Sequence, residues 1–352
     1  MDIEKGRQAL RTWYLQHKRD LPWRKTKDPY RIWLAEIILQ QTQVKQGLPY
    51  YERFVNTFPA VDELANASQE QVLKLWEGLG YYSRARNLHA AAQSVVRDWG
   101  GEFPRSYQGL KNLKGVGPYT AAAVSSFAFG EVQAVVDGNV NRVLSRLHRI
   151  KEPVNKPPGQ KLIKALADDF IDPRHPADHN QAIMELGATL CRPAKPNCPR
   201  CPLKDFCEAY HQGDQARFPR KEKKQYLRER RLVYIFLRRE RAVYVQQRKS
   251  GIWQGLYQFP LLEGETLKTA AEIEAQLADY ILGDLKWGGL HRLGSHRLSH
   301  QLLEISVQEI QLDQEQLPFE GFWHPLQDLK DLAFPRPLQK FIAQNQLTLP
   351  FD

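Results

Sequence analysis

Cysteine is scarce in this chain. The 352 residues include only four cysteines, and all four lie within the segment 191–207. In a reducing compartment, such a cluster indicates a metal site before it indicates disulfides.

Long apolar runs are absent as well. No stretch approaches the roughly 20 apolar residues that a helix needs to cross a bilayer. The N-terminal segment, MDIEKGRQALRTWYLQ, is charged and amphipathic. It lacks the apolar core and the small-residue cleavage site of a secretory signal. We therefore expect a soluble, intracellular protein.

Acidic residues are fewer than basic ones. The chain has 50 Lys and Arg against 40 Asp and Glu, which gives a net charge of +10 and a pI near 9.3. Positive charge suits a polyanionic partner, nucleic acid before others, although charge alone is weak evidence. A hydrophobic content of 42% with eight Trp indicates globular packing, and the length suffices for two domains.

Hydrophobic periodicity divides the chain into two parts joined by a charged linker. Residues 1–212 predict an all-α region, because strand-like alternation is missing there. Residues 213–230 are rich in charge and poor in apolar side chains, which indicates an exposed linker. Residues 231–352 predict an α+β domain, with two strands over RLVYIFL and AVYVQQR. The other predicted elements are helices over 28–44, 69–78, 85–99, 118–129, 140–149, 159–170, 181–190, 266–281 and 337–344 and a strand over 301–310.

The cysteines are spaced Cys191-x6-Cys198-x2-Cys201-x5-Cys207. Four thiolates within one compact loop can enclose a metal centre with a structural role. Tetrahedral zinc is one interpretation, but zinc usually takes two close pairs, and only one close pair is present here. The 6-2-5 spacing resembles the iron–sulfur loop of the endonuclease III superfamily of DNA glycosylases, which implies a [4Fe-4S] cluster. Zinc and disulfides remain alternatives.

The segment LKNLKGVGPYT, residues 110–120, predicts a helix, a tight turn and a second helix that begins at Pro118. Gly115 and Gly117 permit unusual backbone conformations and let a phosphate approach the amides. An ordinary interhelical turn is the alternative. Asp137 follows, and the combination resembles the helix–hairpin–helix glycosylases, whose catalytic aspartate lies at this point. Alone, Asp137 would be interpreted as a turn or N-cap residue.

The residue after Pro118 distinguishes two activities of that superfamily. Bifunctional members carry a lysine there, which attacks the sugar carbon and forms a Schiff base. This chain has Tyr119 at that position, and a phenol cannot form an imine. The residue therefore favours a monofunctional glycosylase that does not cleave the strand by this route.

Glu36 stands among bulky apolar residues in the sequence WLAEIILQQTQ. Helical periodicity places it on one face with Ile32, Trp33, Gln40 and Gln43. An exposed glutamate on an amphipathic helix is the commoner situation. Beside Ile32 and Trp33, however, a buried carboxyl would have a raised pKa and could protonate a leaving group near neutral pH.

Six motifs together resemble the adenine DNA glycosylase (MutY) family. They span nearly the whole helical region, and their order and spacing fit. The motifs are WLAEIILQQTQV, GLGYYSRARNLH, LKGVGPYT, VDGNVNRVL, NQAIMELGATLC and the four-cysteine loop.

The resemblance implies roles for individual residues. Glu36 would be the general acid that protonates adenine, and Asp137 would stabilise the oxocarbenium-like sugar. Tyr119 and Asn139 would line the same pocket. Gln41 and Tyr81 match residues that wedge into the base stack. The other implied contacts to DNA or to the extruded base are Gly115, Gly117, Gln181 and Glu185.

The β-rich region resembles the Nudix-like C-terminal domain of the same family. Its stretch GETLKTAAEIEAQLADY lacks the Arg-Glu-x-x-Glu-Glu core, so it lacks the carboxylates that would hold Mg²⁺ for nucleotide hydrolysis. The family's recognition motif, His-x-Phe-Ser-His, corresponds to His296, Leu298, Ser299 and His300. Leucine in place of phenylalanine loses stacking of ~1–3 kcal/mol per base, which predicts weaker selectivity for 8-oxoguanine over guanine. Without the resemblance, the two histidines would be ordinary surface residues.

We therefore predict a bacterial-type monofunctional glycosylase with a [4Fe-4S] cluster, acting as a monomer in the cytoplasm near the nucleoid. It would remove adenine paired with 8-oxoguanine or guanine in double-stranded DNA. One alternative is an endonuclease III-like glycosylase for oxidised pyrimidines, against which Tyr119 and the C-terminal domain argue. The other is a DNA-binding module without catalysis, against which the presence of both Glu36 and Asp137 argues.

Overall fold

The computed structural model describes residues 2–222, 228–264, 269–277, 285–312, 317 and 320–346. Contacts divide the chain into two compact units. The first comprises Met1–Asn66 and Asn87–Lys224, and the second comprises Ala67–Arg86 and Gln225–Asp352. The sequence did not indicate that residues 67–86 group with the C-terminal part. Residues 223–227 of the predicted linker lie outside the described residues, and β1 already begins at Arg228.

The part of the chain before residue 212 is helical, as predicted. None of the helices in the described ranges is long and apolar enough to cross a membrane. The α-helices described there are Ile3–His17 (α1), Pro29–Leu39 (α2), Val44–Thr57 (α3), Val61–Asn66 (α4), Gln69–Leu75 (α5), Ser83–Trp99 (α6), Tyr107–Lys111 (α7), Pro118–Phe129 (α8), Gly138–Leu147 (α9), Pro157–Phe170 (α10), Pro176–Thr189 (α11) and Glu208–His211 (α12).

Helix α2 is shorter than predicted. The sequence predicted one helix over 28–44, but α2 ends at Leu39 and α3 begins at Val44. Between them, Gln41 adopts a left-handed backbone conformation with φ of 56°, which an α-helix cannot continue through. The beginning of α2 is as predicted, because Asp28 caps it by accepting a hydrogen bond from the Tyr30 amide at 2.9 Å and Pro29 opens its first turn.

The centre of the first unit holds α2 and α8, each of which has eight buried residues. Both are apolar on nearly all sides, so their periodicity carried little information about which face points inward. A separate core joins α1, α9, α10 and α11 through side chains such as Leu10, Leu144, Ile163 and Leu186. These two groups of helices hold the candidate site described below.

The second unit contains a mixed seven-stranded sheet. The strand order is β3-β2-β1-β6-β5, with β4 paired to β1 and β7 paired to β2. β1 and β6 are parallel, and the other pairs are antiparallel. The strands are Arg228–Arg239 (β1), Ala242–Gln247 (β2), Tyr257–Gln258 (β3), Leu261–Glu263 (β4), Lys286–Arg297 (β5), Gln301–Gln311 (β6) and Phe322–Pro325 (β7).

Each face of this sheet carries its own apolar core. Helix α14 (Arg336–Gln346) packs through Leu338 and Phe341 on one face, and helix α13 (Ala270–Leu277) packs through Ile273 and Leu277 on the other. The predicted helix over 266–281 therefore exists in its middle, while residues 265–268 and 278–284 lie outside the described residues. The α+β prediction for this region is confirmed.

Strand β5 was not predicted. It contains Gly288, Gly289 and Gly294, and most of its side chains are exposed or half-buried. It pairs with β6 through two irregularities, the second of them at Gly294, whose φ is +81°. Glycines and bulges interrupt the alternation by which strands are recognised in a sequence.

Candidate active site and DNA-contacting residues

A cavity of about 910 Å³ opens in the first unit between α2, α8, α9 and α11. It is lined by many of the residues singled out from the sequence, which are Glu36, Gln41, Tyr119, Asp137, Asn139, Gln181 and Glu185. These residues are far apart in the sequence, and their convergence on one concave site is the arrangement expected of a substrate pocket.

Glu36 is a buried carboxyl in the middle of α2, with 5% of its surface exposed. Tyr119, at the start of α8, donates a hydrogen bond of 2.6 Å from its hydroxyl to Oε2 of Glu36. Burial raises the pKa of Glu36 from 4.5 to about 7; the hydrogen bond from Tyr119 opposes this shift and the nearby Asp137 carboxyl adds to it. The other oxygen, Oε1, is therefore placed to carry a proton near neutral pH.

Asp137 is the N-cap of α9, so the structural interpretation made from the sequence is correct as far as it goes. Its Oδ1 accepts a hydrogen bond of 2.7 Å from the Val140 amide, and its Oδ2 accepts one of 2.8 Å from the Asn139 side chain. Burial raises the pKa of Asp137, and these two bonds counteract the shift because they stabilise the charged form. The residue is thus both a helix cap and a carboxylate facing the cavity.

Asn139 is itself held in place from two sides. Arg142 donates to its Oδ1 at 2.8 Å and to the Gly187 carbonyl at the same distance. Gly187 allows α11 to approach α9 closely, since a Cβ at that position would lie 2.5 Å from Cβ of Asn139. The sequence did not single out Arg142 or Gly187, and nothing in a single sequence relates either of them to Asn139.

Gln181 and Glu185 lie on the face of α11 that lines the cavity, and both already have partners in the protein. Gln181 Oε1 accepts a hydrogen bond of 2.7 Å from Tyr14. Glu185 is fully buried and pairs with Arg19 at 2.7 Å and with Arg24 at 2.7 Å. Burial would raise the pKa of Glu185, but the two guanidinium groups outweigh it and lower the pKa.

Two residues predicted to wedge into the base stack have the same unusual backbone conformation. Gln41 in the first unit has φ of 56°, and Tyr81 in the second unit has φ of 49°. Such angles are strained for residues other than glycine and often mark functional sites. Tyr81 is 49% exposed, and its hydroxyl lies 2.6 Å from Oγ of Ser299. In the second unit, the structure therefore joins one predicted wedge residue to one predicted recognition residue.

The predicted hairpin glycines differ in their surroundings. Gly115 has φ of +77°, and a Cβ there would lie 2.6 Å from Cβ of Asn87. Gly117 has an ordinary φ of −83° as the N-cap of α8, and a Cβ there would meet nothing within 4 Å. Of these two positions, only 115 requires glycine, because its backbone is left-handed and because a side chain there would collide with Asn87.

We expect Gly115→Ala to destabilise the first unit by about 1–2 kcal/mol from backbone conformation alone, with a further cost from the contact to Asn87. Gly117→Ala is the matched control: it should cost only the difference between glycine and alanine as an N-cap, about 0.5–1 kcal/mol. The melting temperatures of the two variants, followed by circular dichroism, test this difference. Equal melting temperatures would contradict the steric role of Gly115.

The four cysteines line one small cavity of about 30 Å³. Arg146 donates a hydrogen bond to Sγ of Cys191 at 3.3 Å, and the Gln215 amide donates to Sγ of Cys198 at 3.7 Å. Cys201 and Cys207 complete the lining. Across the ranges that the structure describes, no group of three or more His, Cys, Asp or Glu side chains is arranged to hold a metal ion.

The predicted recognition residues of the second unit lie at the hairpin between β5 and β6. Ser299 and His300 are exposed, whereas Leu298 is half-buried and packs against the core under α14. Leu298 is therefore partly used by the domain's own core.

In α13, Glu272 accepts hydrogen bonds from the amide and hydroxyl of Thr269, which makes it a capping residue of that helix.

The comparisons with known proteins define the class. Residues 34–169 match the model of the HhH-GPD superfamily of base excision DNA repair proteins, and residues 232–344 match a NUDIX domain. The solved structure of a thermostable thymine-DNA glycosylase superposes with a TM-score of 0.54 at 30% identity, covering 59% of this chain and 98% of that one. The helical part thus has the fold of a helix–hairpin–helix DNA glycosylase, and a Nudix-like domain follows it.

Within that class, two similar proteins are adenine DNA glycosylases. One from Buchnera aphidicola subsp. Schizaphis graminum is 30% identical over 95% of this chain and 97% of its own length. The rat adenine DNA glycosylase is 44% identical over 61% of this chain, but the match spans only 44% of the rat protein. The chain belongs to the adenine DNA glycosylase family, which confirms the resemblance carried by the sequence motifs.

Proposed function

We propose that this protein removes adenine from double-stranded DNA by hydrolysis, when the adenine is paired with 8-oxoguanine or guanine. The observation that carries the proposal is the buried Glu36 carboxyl, whose pKa burial raises to about 7, in a 910 Å³ cavity that Asp137 also lines. An acid with a pKa near the working pH suits protonation of a leaving base. The second carboxylate suits the positive charge that develops on the sugar.

The proposed reaction begins when the adenine nucleotide leaves the stack and enters the cavity, which costs least at a mismatch. Glu36 transfers its proton to a ring nitrogen of adenine while the bond from adenine to the sugar C1′ breaks. The electron pair of that bond leaves with the base, and the sugar becomes cationic. The ionised Asp137 stabilises this cation. A water molecule then adds to C1′ and gives a proton to the Glu36 carboxylate, which restores the acid.

Two features of the site support a monofunctional enzyme. Tyr119 occupies the position of the Schiff-base lysine and donates its hydroxyl hydrogen to Glu36. Asn139 supports the charged form of Asp137 through its amide. Each of these hydrogen bonds lowers the pKa of the carboxyl group that accepts it. Neither residue supplies an amine that could bond to the sugar.

We propose that the second unit recognises the base opposite adenine through Ser299 and His300, which are exposed at the tip of the β5–β6 hairpin. The hydroxyl contact between Tyr81 and Ser299 supports this proposal because it joins a residue suited to stacking with one suited to hydrogen bonding. Leu298 packs partly into the core of its own domain, so less of its side chain is free to contact a base. This supports the proposal, made from the absence of an aromatic ring at this position, that selectivity for 8-oxoguanine over guanine is weaker.

We further propose that Cys191, Cys198, Cys201 and Cys207 hold a [4Fe-4S] cluster with a structural role. All four line one cavity, and a [4Fe-4S] cluster takes one thiolate at each iron atom, so it does not require three side chains around a single ion. Such a cluster would close the loop between α11 and α12. Purified protein should be brown and contain about four iron atoms per chain. A colourless protein with one zinc ion would contradict the proposal, because zinc is d¹⁰.

The activity is tested by single-turnover release of the base from duplexes in which adenine is paired with 8-oxoguanine, guanine or cytosine. A fourth duplex carries an oxidised pyrimidine. Fast adenine release opposite 8-oxoguanine, with intact strands until alkali is added, is the expected result. Release of the oxidised pyrimidine alone would favour the endonuclease III-like alternative. No release from any duplex by cluster-containing protein would favour the DNA-binding module.

A further inference from the structure

The second unit contains an open groove of about 530 Å³ between β5 and α14, whose lining includes His296 of the recognition motif but not Leu298, Ser299 or His300. Three cationic side chains line it: Arg292 from β5, and Arg336 and Lys340 from α14. His296 lies at its edge, and no acidic residue is among the lining residues. The groove therefore concentrates positive charge without a balancing carboxylate.

The three cations differ from two arginines of β1, whose charges are balanced by carboxylates. Arg230 pairs with Glu263 at 2.6 Å and Arg231 pairs with Glu304 at 2.8 Å. In the described ranges, by contrast, Arg292, Arg336 and Lys340 form no ion pair, and all three are exposed. Their charge is available to a ligand from outside the protein.

The placement of two of these cations on α14 is costly for the helix. Arg336 stands in its first turn, where the helix dipole is positive and favours anions over cations. Lys340 follows four residues later on the same face, and like charges at this spacing repel each other. A bound anion would offset both unfavourable interactions.

His296 lies close enough to Arg336 and Lys340 for the positive charges of both to act on its ring. Its side chain is half-buried and packs 5.8 Å from the ring of Trp253. Burial lowers the pKa of His296, and the charges of Arg336 and Lys340 lower it further. At neutral pH the ring is then uncharged and keeps one N–H as a possible hydrogen-bond donor.

We propose that this groove is a phosphate site for the DNA backbone, in which Arg292, Arg336 and Lys340 supply charge and His296 supplies a hydrogen bond. Phosphate is also the chemistry of free nucleotides. The lining contains no phenylalanine, tyrosine or tryptophan on which a base could stack, so it suits a backbone phosphate better than a nucleotide. The inference rests on the proposed function only in that the protein binds duplex DNA.

The test uses the full-length chain and an undamaged duplex, so that its result does not depend on catalysis. The double variant Arg336→Ala/Lys340→Ala is compared with wild type in affinity measurements over a range of salt concentrations. Each lost phosphate contact should reduce the slope of log K against log [salt] by ~0.9. We therefore expect a reduction of ~1–2 for the double variant.

The control is Lys286→Ala/Lys330→Ala, which removes the same charge from exposed positions that do not line the groove and that form no ion pair in the described part of the chain. Its slope should equal that of wild type, and Arg336→Lys/Lys340→Arg should preserve the slope as well. Arg292→Glu should weaken binding more than the double alanine variant does. All of these residues are exposed, so the variants are expected to keep the wild-type melting temperature.

The proposal is overturned if the slope of the double alanine variant matches those of wild type and the control. If that variant also binds tripolyphosphate more weakly than wild type does, the groove is assigned to a free phosphate compound instead. If adenine release fails but the slope falls as expected, the proposed reaction is wrong and the phosphate site stands. If release succeeds but the slope is unchanged, the proposed reaction stands and the phosphate site is wrong.

Discussion

Glu36→Gln is expected to slow single-turnover release of adenine by ~10²–10⁴-fold at neutral pH, the usual contribution of a general acid. Glutamine has nearly the shape of the protonated carboxyl and can still accept the hydrogen bond that Tyr119 donates. Affinity for a duplex with adenine opposite 8-oxoguanine should therefore be retained. Unchanged release by the variant would show that another group protonates the base.

The pH dependence follows from the pKa of about 7 that burial gives to Glu36. The protonated form acts, so the wild-type rate should fall as the pH rises through about 7, and the residual rate of Glu36→Gln should lack this decrease. Tyr119→Phe removes the hydrogen bond that lowers the pKa of Glu36. That variant should move the decrease to higher pH. A shift to lower pH would contradict the role assigned to the hydrogen bond.

The same shift has a consequence for stability. The pKa of Glu36 is 4.5 in the unfolded reference and about 7 in the folded protein. Between these values the folded state binds the proton more tightly, so stability falls as the pH rises from about 4.5 to about 7. The difference corresponds to roughly 3 kcal/mol. Glu36→Gln should therefore raise the melting temperature at pH 8 relative to wild type, by more than it does at pH 5.

The residues of the site could be named from the sequence because each lies in a short local motif. The apolar neighbours of Glu36 allowed a buried carboxyl, although an exposed glutamate was the commoner case, and the Asp-Gly at the start of α9 indicated a turn or N-cap at Asp137. The catalytic roles of both residues came from the resemblance to the family. The fold class could be predicted from local sequence as well, since it depends on periodicity within each segment. These features need no information about which segments meet.

The contacts that tune the site could not be predicted, because they join residues far apart in the chain. Tyr119 and Glu36 are 83 positions apart, and the pairs of Arg19 and Arg24 with Glu185 span 166 and 161 positions. The early end of α2 was missed for a related reason. The left-handed conformation of Gln41 opposes its local preference, and tertiary structure must impose it.

Asp137→Asn is expected to reduce the rate of adenine release by ~10²–10³-fold, the usual cost of removing one charge-stabilising group from an active site. The substitution keeps the helix cap, because asparagine caps helices about as well as aspartate. It removes the negative charge together with the oxygen that accepts the hydrogen bond from the Asn139 side chain. Asparagine can still accept the hydrogen bond that the Val140 amide donates to Oδ1. The variant should consequently keep the wild-type fold and bind the duplex, and single-turnover kinetics at saturating protein measures the loss.

The first unit offers a matched control in Asp28→Asn. Asp28 caps α2 in the same way, accepting a hydrogen bond of 2.9 Å from the Tyr30 amide, but it does not line the cavity. Its replacement should leave the rate of release unchanged. If Asp28→Asn and Asp137→Asn slowed release equally, the effect would come from the helix caps, and Asp137 would have no separate role in stabilising the sugar cation. A loss confined to Asp137→Asn would assign the effect to the carboxylate in the cavity and not to the helix cap, because both substitutions make the same change to a cap.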